Sequence, residues 1–161
     1  MRFSYLKFFI LIVMSLFGIW SSMTVLYLYD IMHQPLPFCT LGNQQSTGVV
    51  LDCYKVLGSS YANIYGVPLD ALAAVWFIIN LLLVILVSFA SDKVSIKSLR
   101  VLFVWRFFGL ALVPYLVFLE LFVVKSICVY CTIMHIAIIV DFIIVTYLLF
   151  YKHNAQLFLK K

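Results

Sequence analysis

The chain has 161 residues and a formal net charge of +5, and 66% of it is hydrophobic while only 11% is charged. A soluble globular domain carries about 25% charged residues. This composition therefore excludes an ordinary water-covered fold and points to lipid as the solvent for most of the chain. The length fits one domain. Because the basic residues flank apolar segments, their excess indicates membrane orientation and not nucleic-acid binding.

Four apolar segments are long enough to cross a bilayer as helices, since a span needs roughly 20 such residues and lipid cannot satisfy an irregular backbone. They are predicted at about residues 8–29, 67–90, 99–122 and 128–151. The first segment also resembles a secretory signal peptide, because basic residues precede it and two serines could end it. Its apolar run continues past those serines without an A-x-A-like site, which favours a retained helix.

The basic residues predict how these helices are oriented. If both termini are cytoplasmic, eight lysines and arginines lie on the cytoplasmic side and only Lys55 and Lys125 lie outside, with Arg106 inside a span. This asymmetry follows the positive-inside rule. The predicted fold is an all-α integral membrane protein, a four-transmembrane-helix bundle with both termini cytoplasmic.

The three connections between the spans differ in length. Residues 30–66 form a long outer loop between helices 1 and 2, and a long loop in a small protein is usually functional. Within it, residues 49–60 carry apolar side chains at helical spacing and are predicted to form a short helix over the mouth of the bundle. Residues 91–98 form a short basic inner loop, and residues 123–127 form a tight outer turn.

All four cysteines fall on the outer side of this topology, which is the oxidising side in bacteria and in the secretory pathway. Cys39 and Cys53 lie in the long loop, whereas Cys128 and Cys131 form a C-x-x-C motif that opens the fourth helix. Residues i and i+3 share a helix face, so the two sulfurs of the motif can meet. The helix N-terminus favours a thiolate at Cys128. These features predict two redox pairs.

Two other uses of the cysteines stay open from the residues alone. They could hold a structural zinc, although the C-x13-C and C-x2-C spacings are loose and outer thiols tend to be oxidised. They could also form two structural disulfides, although a bridge inside C-x-x-C closes a very small loop and adds little stability. These arguments favour redox chemistry with no metal.

The motifs around the cysteines resemble the vitamin K epoxide reductase (VKOR) family. The matching pieces are C-Y-K-V-L-G-S at 53–59 with Tyr61, G-V-P at 66–68 before the second helix, and C-V-Y-C-T at 128–132. The resemblance covers about residues 30–151. The DsbB family also combines four helices, two cysteine pairs and a quinone, but its C-x-x-C comes first along the chain. The reverse order here favours the VKOR family.

The resemblance implies an electron relay that ends on a quinone. A thiol protein would reduce the loop pair at Cys39, Cys53 would attack Cys128, and the C-x-x-C pair would reduce a quinone near Cys131. The quinone, a menaquinone, ubiquinone or vitamin K type, would be a substrate. The thirteen residues between the loop cysteines exceed the spacing expected for the family.

The resemblance also sets expectations for partner and location. Some bacterial relatives carry a fused thioredoxin-like domain, and because this sequence ends after the fourth helix, a separate thioredoxin-fold partner is expected on the non-cytoplasmic side. The expected location is a bacterial inner membrane, with the active site facing the periplasm or exterior, and a role in disulfide-bond formation. The alternatives are a vitamin K quinone or epoxide reductase of an endomembrane, and a non-catalytic membrane protein with structural disulfides.

Four further residues are candidates for the quinone site: Ser59, Asp70, Trp76 and His135. Ser59 matches a serine of the family near the site, and the resemblance implies that its hydroxyl donates a hydrogen bond there. His135 shares a helix face with Cys131 and either bonds a quinone oxygen, moves a proton, or simply packs inside the bundle. Asp70 either bonds the quinone or faces water, and water is favoured. Trp76, with its neighbour in sequence, could wall a ring-shaped ligand, although packing is the commoner role.

Arg106, Glu120 and Asp141 are ionisable residues within the predicted spans, where such residues cost free energy unless they are paired or lie near an interface. Arg106 and Asp141 are predicted to pair with each other or with lipid headgroups. Glu120, near the outer end of the third span, is predicted to be solvated.

Overall fold

A computed structural model of the chain describes residues 5–39, 50–89 and 92–159. Its described residues contain four apolar helices long enough to cross a membrane and one short helix. This confirms the predicted membrane bundle. The helices are α1 (Tyr5–Val25), α2 (Cys53–Leu57), α3 (Leu69–Phe89), α4 (Asp92–Phe118) and α5 (Val129–Leu159).

Four two-residue strands connect the helices at the end of the bundle that carries the cysteines, called here the cysteine end. They are β1 (Val50–Leu51), β2 (Asn63–Ile64), β3 (Val67–Pro68) and β4 (Ser126–Ile127). β2 and β3 form an antiparallel hairpin that leads into α3. β1 pairs in parallel with β4, and the Asp52 amide extends this ladder by donating to the Ile127 carbonyl at 3.2 Å. The ladder brings the starts of α2 and α5 side by side.

Two of the long helices end in a π-helical turn. α1 continues into Leu26–Ile31, and α4 continues into Leu119–Val124. Hydrogen bonds in such turns run between residues i and i+5, and the turns are frequent at functional sites. Lys125 closes the second turn, because its amide donates to the Glu120 carbonyl and its left-handed backbone (φ 55°) ends the helix. The chain then enters β4 and α5 with no further loop.

Two predicted boundaries need correction. The loop helix spans Cys53–Leu57 instead of 49–60, because Val50–Leu51 pairs as a strand and Asp52 caps the helix after it; position 49 lies outside the described residues. The inner loop predicted at 91–98 is helical from Asp92, so α4 begins before the apolar span at Lys97–Val124.

A buried polar network joins the four long helices near the middle of the spans. The ion pair between Arg106 Nη2 and Asp141 Oδ2 measures 3.3 Å, and both side chains are fully buried. Arg106 Nε donates to Asn80 Oδ1 at 2.9 Å, and Asn80 Nδ2 donates to Asp141 Oδ2 at 2.9 Å and to Ser15 Oγ at 3.0 Å. The prediction that Arg106 and Asp141 pair with each other is confirmed. We call Ser15, Asn80, Arg106 and Asp141 the polar network.

Candidate functional site

The loop cysteines form one buried disulfide at the cysteine end. Cys39 and Cys53 are bonded, with their Cα atoms 5.5 Å apart, and only 3% and 1% of these residues are exposed. Cys53 opens α2, whose N-cap is made by Asp52 Oδ1 accepting from the Lys55 amide at 3.1 Å. A side-chain cap of this kind fixes where a helix begins. The cap and the ladder together hold Cys53 in place; residues 40–49 of the predicted loop lie outside the described residues.

The C-x-x-C pair lies beside this disulfide as two free thiols. Cys128 is fully buried in the same cluster as Cys53, together with Val25 and Leu36. Cys131 is partly exposed and packs against both this cluster and the apolar interior of the bundle. The Cys131 amide donates to Cys128 Sγ at 3.5 Å, so the first turn of α5 offers a donor to that sulfur. Cys128 therefore faces the loop pair, and Cys131 faces inward.

This pairing bears on the zinc alternative. The thiolate form of cysteine is the metal ligand, and the sulfurs of Cys39 and Cys53 are bonded to each other. While this bond is present, Cys39 and Cys53 offer no thiolate to a metal ion.

An apolar cavity of about 270 Å³ opens beside Cys131, between α2 with the chain that follows it, α3, α4 and α5. Pockets that bind small molecules are mostly apolar with a few polar groups and measure about 300–1,000 Å³. This cavity is near the lower end of that range. Its wall includes the four predicted quinone-site residues, the inner cysteine and one acid that the sequence reasoning did not nominate: Ser59, Asp70, Trp76, His135, Cys131 and Glu120.

The hydroxyl of Ser59 does not donate into the cavity. Ser59 Oγ donates to the Val56 carbonyl at 2.7 Å, one turn back at the end of α2. A hydroxyl has one proton to donate, so Ser59 can only accept a hydrogen bond from a ligand while this bond persists. The donor role toward a ligand that the resemblance implied stays a prediction.

Asp70 and Glu120 are both buried, although water was predicted around each of them. They are 5% and 7% exposed and line the cavity from α3 and from the π-helical turn after α4. Glu120 shares the wall of the cavity with Cys131. Positions near the end of a span suggested solvent, but the chain between α2 and α3 covers this end of the bundle. One feature of the sequence could have identified Glu120 as a site residue, because it is an acidic residue within an apolar span.

Trp76 forms a wall of the cavity because a glycine on the facing helix makes room for it. A Cβ atom at Gly109 would lie 2.5 Å from Trp76 Cζ2. The Trp76 ring stacks on Trp105 with centroids 6.1 Å apart and meets Phe77 edge-on at 5.0 Å. His135 lies one turn below Cys131 on α5, is 8% exposed and also lines the cavity.

A four-span bundle with two cysteine pairs at one end, one of them on a ligand-sized cavity, is the arrangement of a membrane oxidoreductase that works through cysteines. The vitamin K epoxide reductase family matches residues 9–146, which is most of the chain, and the chain belongs to this family. No curated protein matches the chain. Membership confirms the resemblance found in the motifs. The protein is therefore an integral membrane oxidoreductase of a family that acts on quinones.

Proposed function

We propose that this protein oxidises a thioredoxin-fold thiol protein and passes the electron pair through its two cysteine pairs to a quinone bound in the cavity. The observation that carries the proposal is the order in which the sulfurs lie, from the loop disulfide through Cys128 to Cys131 at the cavity. The Cys39–Cys53 disulfide and Cys128 share one buried cluster, and Cys131 lines the apolar cavity. In a bacterium, such a protein would regenerate a catalyst of disulfide-bond formation.

The first exchange takes place at the loop pair. A thiolate of the partner attacks the sulfur of Cys39, and the bond to Cys53 breaks. The second thiol of the partner then releases Cys39, which leaves the partner oxidised and the loop pair reduced. Because Cys39 is only 3% exposed, residues that cover it must move aside before the partner can reach it.

The second exchange moves the electron pair inward. The thiolate of Cys53 attacks the sulfur of Cys128, and Cys131 leaves as a thiolate. Cys39 then resolves the mixed disulfide between Cys53 and Cys128. The products are an oxidised loop pair and a reduced C-x-x-C pair.

The last step oxidises the C-x-x-C pair at the cavity. A new bond forms between the sulfurs of Cys128 and Cys131, two electrons pass to the quinone, and the two thiol protons complete the quinol. The apolar lining suits the ring of a quinone, and Asp70 and His135 offer polar groups to its oxygens. The basic residues support an orientation in which the cysteine end faces the non-cytoplasmic side, the periplasm of a bacterium.

Thiol alkylation of the purified protein tests this proposal. The protein is fully reduced and freed of reductant, a short-chain quinone is added without oxygen, and the free thiols are counted by mass. We expect quinone to remove the thiols of Cys128 and Cys131 in the wild type, and to leave the remaining thiol of Cys128 free in Cys131→Ala. If quinone leaves all wild-type thiols free, and the loop bridge resists mild reductant, the cysteines are structural and the proposal fails.

A further inference from the structure

We propose that Glu120 is a catalytic residue that carries a proton from the Cys131 thiol to an oxygen of the bound quinone. This inference rests on the proposed function and deepens it, because it assigns the proton path of the quinone-reducing step. The geometry behind it is a shared wall: Glu120, in the π-helical turn after α4, and Cys131, near the start of α5, both line the cavity.

The burial of Glu120 calls for a reason beyond packing. Its residue is 7% exposed inside a membrane span, and burying a carboxyl group costs free energy unless it is paired. Within the part of the chain that the structure describes, Glu120 takes part in no ion pair. It lines the cavity together with Cys131. An ionisable group kept in this setting is suited to exchanging protons with that thiol.

The backbone places Glu120 there by means of the π-helical turn. Glu120 is the second residue of that turn, and its carbonyl accepts from the Lys125 amide that closes it. Phe118 and Phe122, on either side in sequence, are 53% and 67% exposed on the outer surface of the bundle. Glu120 is buried while these two side chains face outward, so the acid lies on the inner side of the turn. Because β4 and α5 follow the turn directly, Glu120 reaches the cavity wall that also includes Cys131.

The proton transfers balance within the quinone-reducing step. Glu120 as a carboxylate accepts the proton of the Cys131 thiol, and the resulting thiolate is the electron-rich form that reacts with the quinone. The bond between the two sulfurs forms, the electron pair moves to the quinone, and Glu120 returns its proton to a quinone oxygen. The second proton comes from Cys128. Glu120 ends as the carboxylate that began the cycle.

Two other titratable residues on the cavity are less suited to this role. Asp70 lies on α3, which packs against α1 and α4, whereas Glu120 follows α4, which packs against the helix that carries Cys131. His135 is one helical turn further along α5 than Cys131. Asp70 and His135 remain available to hydrogen-bond the quinone.

Single-turnover kinetics on the full chain test the assignment. Wild-type and variant proteins are reduced, freed of reductant and mixed with a short-chain quinone, and quinol formation is followed. We expect Glu120→Gln to slow the step by about 10²- to 10⁴-fold, the usual contribution of acid–base catalysis.

Glu120→Asp should keep part of the rate. In Glu120→Ala, formate should restore the rate in proportion to its concentration, because it fits the space left by the carboxyl group. Phe122→Leu, on the lipid-exposed side of the same turn, should react at the wild-type rate.

The possible results separate this inference from the function on which it rests. If the wild type reduces the quinone and Glu120→Gln does so equally fast, Glu120 carries no proton, and the proposed function stands. If Glu120→Gln is slow, formate has no effect in Glu120→Ala, and quinone affinity or unfolding free energy falls in parallel, Glu120 is structural and the inference is overturned. If the wild type itself fails to reduce the quinone, the proposed function fails and the inference falls with it.

Discussion

The polar network and the cysteine end both bury charged or acidic side chains inside a membrane protein, but they do so differently. In the polar network every residue has a partner on another helix, and the cationic Arg106 neutralises Asp141. At the cysteine end, Asp70 and Glu120 are buried, line a cavity and take part in no ion pair with another described residue. Breaking a buried ion pair destabilises a fold, whereas an unpaired acid on a cavity is available for chemistry. The contrast predicts that substitutions in the two regions alter different properties.

The largest effect on stability is expected from splitting the ion pair. Arg106→Met leaves Asp141 as a buried charge without its partner, and breaking a buried pair costs about 3–5 kcal/mol. The double variant Arg106→Met with Asp141→Leu removes both charges and should lose less stability than the single variant. The free energy of unfolding in detergent micelles measures both effects, and quinone reduction per folded molecule should stay at the wild-type rate. Equal losses in the single and double variants would show that the pairing does not matter.

A smaller effect, confined to ligand binding, is expected where Gly109 makes room for Trp76. In Gly109→Ala the added Cβ would lie 2.5 Å from the Trp76 ring and push it into the cavity. Overpacking of this kind costs about 1–3 kcal/mol, so we expect KM for quinone to rise about tenfold with a smaller change in kcat. Ala111→Val adds volume at an exposed position of the same helix and serves as the control. An unchanged KM in Gly109→Ala would show that Trp76 does not shape the binding site.

The smallest effect is expected at Ser59, because its hydroxyl already donates to the Val56 carbonyl. Ser59→Ala should lower the free energy of unfolding by about 1 kcal/mol, the usual contribution of one such hydrogen bond. KM for quinone should change by less than about threefold, since loss of a ligand hydrogen bond would cost more. A tenfold or larger rise in KM with unchanged stability would mean that Ser59 binds the ligand directly.

The sequence predicts most of what depends on local patterns. Uninterrupted apolar length located the four spans, and the motifs around Cys53 and Cys128 indicated the family that the comparison then established. Pairing of Arg106 with Asp141 followed from the cost of a lone charge in a span. Each of these inferences needs only the neighbouring residues and the bilayer.

The sequence did not reveal features that depend on how the chain from β1 to β3, residues 50–68, covers the bundle. Asp70 and Glu120 were expected in water because they lie near the ends of spans, yet the covering chain removes them from it. The strand β1 takes the place of the start of the predicted loop helix. This pairing was missed because the partner strand β4 is about seventy-five residues away in the sequence. The hydrogen bonds of Asn80 in the polar network were also not predicted, because the sequence around a single amide side chain in an apolar segment does not indicate its partners.

The most direct test of the relay is to trap its internal handover. In the double variant Cys39→Ser with Cys131→Ser, only Cys53 and Cys128 remain, and mild oxidation should join them within one molecule, as mapped by mass spectrometry of a non-reduced digest. The matched variant Cys39→Ser with Cys128→Ser leaves Cys53 and Cys131, and it should form a bridge far less readily because Cys131 faces the cavity. Rapid formation of the Cys53–Cys128 bridge is the result that the relay predicts. If both thiols stay free, or if Cys53 pairs equally well with Cys131, electrons do not pass from the loop pair to Cys128.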